Sequence, residues 1–208
     1  MNIHEAIDAR RSVRRYADTP FSEEQLLEIL HAASLAPSAK NRQPWFFYVI
    51  RDPDIKQEFI LALDKGIDQL YQQYQQKYID RPDILRAKNS LRAMEQASVL
   101  ILVKLVSRYN TYYDDGVNWS LHALDIEVAD LLSVGAAVQN ILLTAREMGL
   151  GSLWVCDIFY AYPALTKFLQ EDTPIVSAIC LGSPGESPAP RPRRSVNEIF
   201  TELRKKKE

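Results

Sequence analysis

Residues 125–148 are apolar on nearly every side of a helix, and 131–145 carry no charge at all. A helix of that kind cannot face water around its circumference, so it must be buried all round or shared with a partner subunit. At fifteen residues, the uncharged stretch falls short of the roughly 20 a membrane span needs, and Ser133, Gln139, Asn140 and Thr144 interrupt it. No association with a membrane is expected.

The elements that would surround such a helix can be read from periodicity. Asn2 with Glu5, and Ser22 with Gln25, have capping-box spacing. The first opens a short helix that would carry Ile3, Ala6 and Ile7 inward; the second opens a helix with the stripe Leu26, Ile29, Leu30, Ala33, ended by Pro37. Asp52-Pro53 starts a long amphipathic helix through Ile55, Phe59, Leu63, Ile67, Leu70, Tyr74 and Tyr78. Residues 83–96, 160–169 and 196–203 also read as helices, and Gly149-Leu150-Gly151 ends the apolar one. The β-branched and aromatic runs 45–50, 98–106, 152–156 and 175–181 read as buried strands. Residues 107–118 (SRYNTYYDDGVN) have no clear period and suit a loop or lid. Helices separate most strands, which gives an α+β or α/β sandwich around one modest sheet. The whole chain, 1–208, fits a single domain.

Charge is where function first shows. With 25 Lys+Arg against 27 Asp+Glu the chain is slightly acidic, which argues against a nucleic-acid partner. Yet Arg10, Arg11, Arg14 and Arg15 crowd around Ser12, and Arg191, Arg193 and Arg194 follow the last strand in a proline-rich segment. Guanidinium groups are planar forks that grip phosphate oxygens in pairs. Between the clusters, Pro37-Ser38-Ala39-Lys40-Asn41 can offer backbone N–H groups, a hydroxyl and an amide. Together these suggest a phosphorylated cofactor held without a glycine-rich loop. Walker and G-x-S-x-G motifs are absent, Gly149-x-Gly151 is only a fragment of a dinucleotide fingerprint, and His4, His31 and His122 lack metal-ligand spacing, so no metal is expected. The two cysteines, Cys156 and Cys180, make no disulfide framework, and the first residues contain no apolar stretch, so a cytoplasmic location is expected.

The segments RRSVRRY, APSAKNRQPWFFYVI, AVQNILLTAREMGLGSLWV and PIVSAICLGSP with its PRPRR sequel resemble, in order and spacing, the FMN-dependent nitroreductase family. The resemblance implies an α+β fold, an α/β sandwich with a central mostly antiparallel sheet flanked by helices. It also implies a homodimer with FMN at each end of the subunit interface. It assigns Arg10, Arg11, Ser12 and Arg14 to the ribityl phosphate and flavin pyrimidine. Pro37, Ser38, Ala39 and Asn41 would reach FMN from the partner subunit, and Arg191 and Arg193 would reach the phosphate. Asn89 and Arg92 would touch the pyrimidine, and Trp154, Val155 and Cys156 would lie along the flavin; Cys156-Asp157 stand where many members have small glycines. The implied activity is ping-pong reduction of nitroaromatics, quinones or similar electron-poor compounds by NAD(P)H. No catalytic side chain is required, because flavin N5 carries the chemistry. A specialised flavin enzyme on the same fold, such as an enone reductase or reductive dehalogenase, and a non-catalytic FMN-binding sensor are the alternatives.

Overall fold

The structure is a computed structural model that describes residues 2–74, 81–106, 119–171 and 174–203; for 74, 81 and 119–127 only the backbone is described. Tyr78 and the expected lid at 107–118 lie outside the described residues.

Four strands form one antiparallel sheet in the order β1-β2-β4-β3: β1 (Trp45–Ile50), β2 (Val99–Leu105), β3 (Gly151–Val155) and β4 (Ile175–Gly182). Alternate residues of the two central strands serve opposite faces, because successive side chains point to opposite sides of a strand. Leu100, Leu102, Ala178 and Cys180 join a core with Phe59, Leu63 and Ile67 of α3 (Pro53–Tyr74), Met94 of α4 (Arg81–Gln96) and Leu165 of α6 (Tyr162–Leu169). Val99, Ile101, Val103 and Ile179 join a second core with Ile29 and Ala33 of α2 (Glu23–Ser34) and Val138 and Ile141 of α5 (Trp119–Glu147). The result is the expected α+β sandwich with helices on both faces of one sheet. Each large side chain fully withdrawn from water in these cores contributes about 1.5–3 kcal/mol before entropy is counted.

Both capping boxes form. Asn2 accepts the Glu5 N–H, and Ser22 accepts the Gln25 N–H, with the glutamate and glutamine reaching back. The apolar helix is longer than the sequence indicates: α5 begins at Trp119, not near 125. Residues 160–169 divide into a 3-10 turn (Asp157–Ala161) and α6.

Three sequence expectations fail at surfaces. Strand β1 is only partly buried, because it is a sheet edge: Ile50 is in the core, but Phe46 is half exposed. Only Ala6 of α1 (Ile3–Ala9) is buried, while Ile3 and Ile7 face outward. Residues 196–203 form a single 3-10 turn (Val196–Glu198) instead of a helix. Val196, Ile199, Phe200 and Leu203 have helical spacing but are all exposed. A short helix whose apolar stripe packs on nothing lacks the tertiary contacts that stabilise it.

The long α5 is itself unevenly covered. Val134, Ala137, Val138, Ile141, Leu142 and Ala145 are buried, whereas Val128, Leu131 and Leu132 are exposed. By length and composition Val128–Glu147 could cross a membrane, but its inner face is core of the sandwich.

Candidate active site

The N-terminal arginine segment is laid against the sheet by backbone pairing. The chain leaves α1 at Arg10 in an extended conformation. Ser12 then forms a parallel bridge with Ser152 at the start of β3, and the Val13 N–H donates to the Ser152 carbonyl at 2.9 Å. This approach requires Gly151: a Cβ there would lie 2.9 Å from Cγ1 of Val13. Further on, Tyr16 bridges Pro184, and its hydroxyl donates to the Val13 carbonyl at 2.8 Å. Glu186 completes the attachment. Its Oε1 accepts the Arg14 N–H at 2.7 Å and the Arg15 N–H at 3.3 Å, and its Oε2 accepts Arg15 Nε at 3.1 Å. The Arg14 amide, with further help from Arg15, holds the Glu186 carboxyl below its ordinary pKa.

Between this segment and the loop after β4 lies a groove of about 480 Å³, lined by Arg10, Arg11, Arg146, Ser152, Glu186 and Pro188 among others. Burial, then Arg11, then Arg193 lower the pKa of Arg10. Arg193, 183 positions away in sequence, is therefore near enough to Arg10 to act on it electrostatically. Arg11 has a further task, donating from Nη1 to the Asp8 and Arg10 carbonyls at 2.6 and 2.7 Å, where it caps the end of α1. Arg146, in the last turn of α5, has a buried Nε with no hydrogen-bond partner among the described residues. A buried donor left unpaired costs about 1–3 kcal/mol. An anion in the groove would supply the acceptor, so the donor set fits a phosphate.

The other expected residues are distributed around this groove. Arg14, Arg191 and Arg193 are exposed; Arg193 donates only weakly to the carbonyls of Arg191 and Pro192, at 3.5 and 3.3 Å. Trp154, Val155 and Cys156 continue β3 beyond the Ser12–Ser152 bridge, with Trp154 and Cys156 exposed and Val155 turned into the core. Burial, then Asp157, raises the Cys156 pKa, so the thiol is protonated at neutral pH. Asn89 and Arg92 are exposed on α4, where Arg92 Nη1 donates to Asn89 Oδ1 at 3.3 Å. Ser90 beside them donates to Asp157 at 2.7 Å and ties this helix to the end of β3.

Pro37, Ser38, Ala39 and Asn41 are not joined to the arginine segment by any hydrogen bond or ion pair among the described residues. They are held against the middle of α5 instead. The Ala39 N–H donates to Ser133 Oγ at 3.3 Å, and Arg42 Nε donates to Asp130 Oδ1 at 2.7 Å. Lys40, Asn41 and Gln43 have φ of 52°, 54° and 49°. Three left-handed non-glycine residues in four positions are a concentration of strain, at about 1–3 kcal/mol each, of the kind found where geometry serves a ligand. The Gln43 N–H donates to Ser38 Oγ, and Gln43 Nε2 donates to Asn41 Oδ1. That usage leaves the Ser38 O–H and the Asn41 Nδ2–H groups as donors.

Sequence reasoning missed Arg146, Glu186 and the Asp130–Arg42 pair. The available signal was the isolation of Asp130 and Arg146: they bracket the uncharged stretch of α5.

Comparison with known proteins places the chain in a family. The family model described as the Nitroreductase family matches residues 7–183. A protein of Archaeoglobus fulgidus, provisionally named an NADH dehydrogenase/NAD(P)H nitroreductase, is 31% identical over 86% of this chain and 83% of its own. A BluB-like flavoprotein from Clostridium difficile superposes with a TM-score of 0.81 at 28% identity, covering 98% of this chain and all of its own. A nitroreductase-type protein of Desulfovibrio desulfuricans, solved in complex with FMN, superposes with a TM-score of 0.71 at 30% identity over 98% and 97% of the two chains. The chain belongs to the nitroreductase family, an enzyme family of reductases.

Proposed function

We propose that this protein is an FMN-dependent oxidoreductase that takes reducing equivalents from NAD(P)H and passes them to nitroaromatics, quinones or similar electron-poor compounds. The observation that carries the reading is the groove where Arg10, Arg11 and Arg146 meet, with an unpartnered buried Nε and Arg193 close enough to perturb Arg10. That is a cluster of cationic donors in a chain of net charge −2. Bound FMN supplies the two-electron redox chemistry. The protein's part is to bind and orient it. Arg10, Arg146, Arg191 and Arg193 hold the phosphate, assisted by Arg11 and Ser12. Arg14 and Arg92 place positive charge beside the pyrimidine, where they stabilise negative charge electrostatically; Asn89 accompanies Arg92. Trp154, Val155 and Cys156 line the flavin's edge.

The active form is a homodimer with shared sites. Asp130, which anchors the 37–43 segment, is sixteen residues from Arg146 on α5, about 24 Å along a helix rising 1.5 Å per residue. One chain therefore holds the two halves of the donor set far apart. Antiparallel packing of two copies of α5 brings the Asp130 end of one against the Arg146 end of the other, and Pro37, Ser38, Ala39 and Asn41 then reach the partner's FMN. The exposed Val128, Leu131 and Leu132 give that contact an apolar surface, and space is open above Gly135. We place the protein in the cytoplasm, in keeping with its two free thiols.

Anaerobic spectroscopy tests the proposal. Purified protein titrated with FMN should become yellow, bleach with NADH or NADPH, and recover its colour on adding a nitroaromatic or quinone. Failure to take up FMN refutes the reading. Bleaching without recovery redirects it to a specialised acceptor such as an enone or a halogenated phenol. Uptake without bleaching by either nucleotide favours a sensor.

A further inference from the structure

The buried Asp130–Arg42 pair is an odd way to fasten a loop. Asp130 lies on α5 with its side chain fully withdrawn from water, and the Arg42 side chain is 9% exposed. Asp130 Oδ2 has no hydrogen-bond partner among the described residues. Replacing a buried ion pair with apolar side chains of similar volume is often neutral or stabilising, so such a pair is a poor device for stability alone. What it can provide is a fixed geometry. Arg42 sits inside the left-handed run, between Asn41 and Gln43. The segment has little apolar anchorage of its own: Pro37, Lys40, Asn41 and Gln43 are exposed, and Ser38 and Ala39 are half-buried. Its attachments to α5 include the Ala39–Ser133 hydrogen bond and the ion pair. A backbone with three residues in a sparsely populated region persists only where its surroundings determine it.

We propose that Asp130 is a positioning residue: through Arg42 it holds the 38–43 segment, with Lys40, Asn41 and Gln43 in the left-handed region, in the conformation that aims the Ser38 hydroxyl and the Asn41 amide at the FMN of the partner subunit. The inference rests on the flavin-binding reading above. It also explains the placement of Asp130, behind the exposed Val128, Leu131 and Leu132 of the same helix. The helix turns that present the proposed dimer face also brace the loop that crosses it. Assembly and cofactor capture are thereby linked through one carboxylate.

Separating stability from geometry provides the test. In the Arg42→Met/Asp130→Leu double variant both charges go and volume is approximately kept, so the thermal midpoint should stay near that of the wild type. FMN affinity, read by quenching of flavin fluorescence, should nevertheless fall by about tenfold or more, the scale on which a misplaced pair of donors acts. In flavin-free protein, hydrogen exchange at the Ala39 and Gln43 amides should accelerate. A folded double variant with wild-type affinity and wild-type protection at those two amides overturns the proposal. If the double variant does not fold, Arg42→Lys decides. It keeps the charge and loses the guanidinium Nε, so weakened FMN binding at an unchanged thermal midpoint supports the proposal and wild-type binding overturns it. Wild-type protein that takes up no FMN refutes the flavin reading instead, and the exchange measurement still shows whether the pair holds the loop.

Discussion

Arg146→Met should move two measurements in opposite directions. Arg146 is half-buried, and its Nε is withdrawn from water without a hydrogen-bond partner among the described residues. Methionine keeps most of the apolar stem and removes the donor. Relieving an unpaired buried donor is worth about 1–3 kcal/mol to the flavin-free protein. Against this stands the favourable placement of a cation in the last turn of α5, worth about 0.3–1 kcal/mol. The relief is the larger effect, and the net gain of about 1 kcal/mol should raise the thermal midpoint of the flavin-free protein by about 2–4 °C. On the proposed reading, the same nitrogen donates to the phosphate in the holoprotein. Losing a hydrogen bond to a charged acceptor costs about 1.5–3 kcal/mol, a ten- to hundred-fold weaker FMN Kd. Circular dichroism melts of flavin-free protein and fluorescence titration with FMN measure the two effects. A variant that melts lower without flavin and binds FMN unchanged would show that Arg146 is a packing residue, and the groove would lose its central donor.

Gly135→Leu should abolish dimer formation while leaving the protomer folded, since a Cβ there meets nothing within 4 Å; light scattering that finds an intact dimer would place the interface elsewhere. Glu186 should make stability pH-dependent in a defined sense. Its pKa is depressed in the folded protein, so its contribution is present above the ordinary carboxylate value of 4.5 and is lost as pH falls through the lower folded value. Urea midpoints for wild type and Glu186→Gln should therefore differ at neutral pH and converge in acid; a difference that stays constant with pH refutes the assignment.

Much of the scaffold was legible because it rests on local chemistry. The Asn2–Glu5 and Ser22–Gln25 caps, the four strands and the Phe59, Leu63, Ile67 stretch of the α3 stripe each follow from residues a few positions apart, although Ile55 at its start is exposed. The misread elements are those whose partners lie outside the segment. Nothing in WFFYVI reveals that it forms a sheet edge, and the stripe Val196, Ile199, Phe200, Leu203 reads as a helix only if something covers it. The same holds for the site. The arginine clusters were visible as composition, and their meeting at Arg10 depends on β3 and β4 carrying Ser152 and Pro184 to the same edge. Arg146 and Asp130 bracket the uncharged stretch of α5, but that spacing alone does not say what either charge meets in the fold.

That shared helix accounts for how the two halves of the donor set are organised. Arg146 lies where the end of α5 meets the arginine groove, and Asp130 lies where the middle of α5 meets the left-handed segment. Both bear on faces of an element whose inner side is the core of the sandwich and whose outer side is exposed and apolar. An α5 in water would have to hide Val128, Leu131 and Leu132 while keeping the side chains of Asp130 and Arg146 in place sixteen residues apart. The proposed pairing with a second copy would meet both demands at once, because a two-fold contact buries the same apolar patch twice and sets Asp130 of one helix toward Arg146 of the other. The charges at 130 and 146 and the apolar face at 128–132 are then parts of one arrangement. A substitution at Gly135, remote in sequence from every expected flavin contact, should therefore weaken FMN binding as well as assembly.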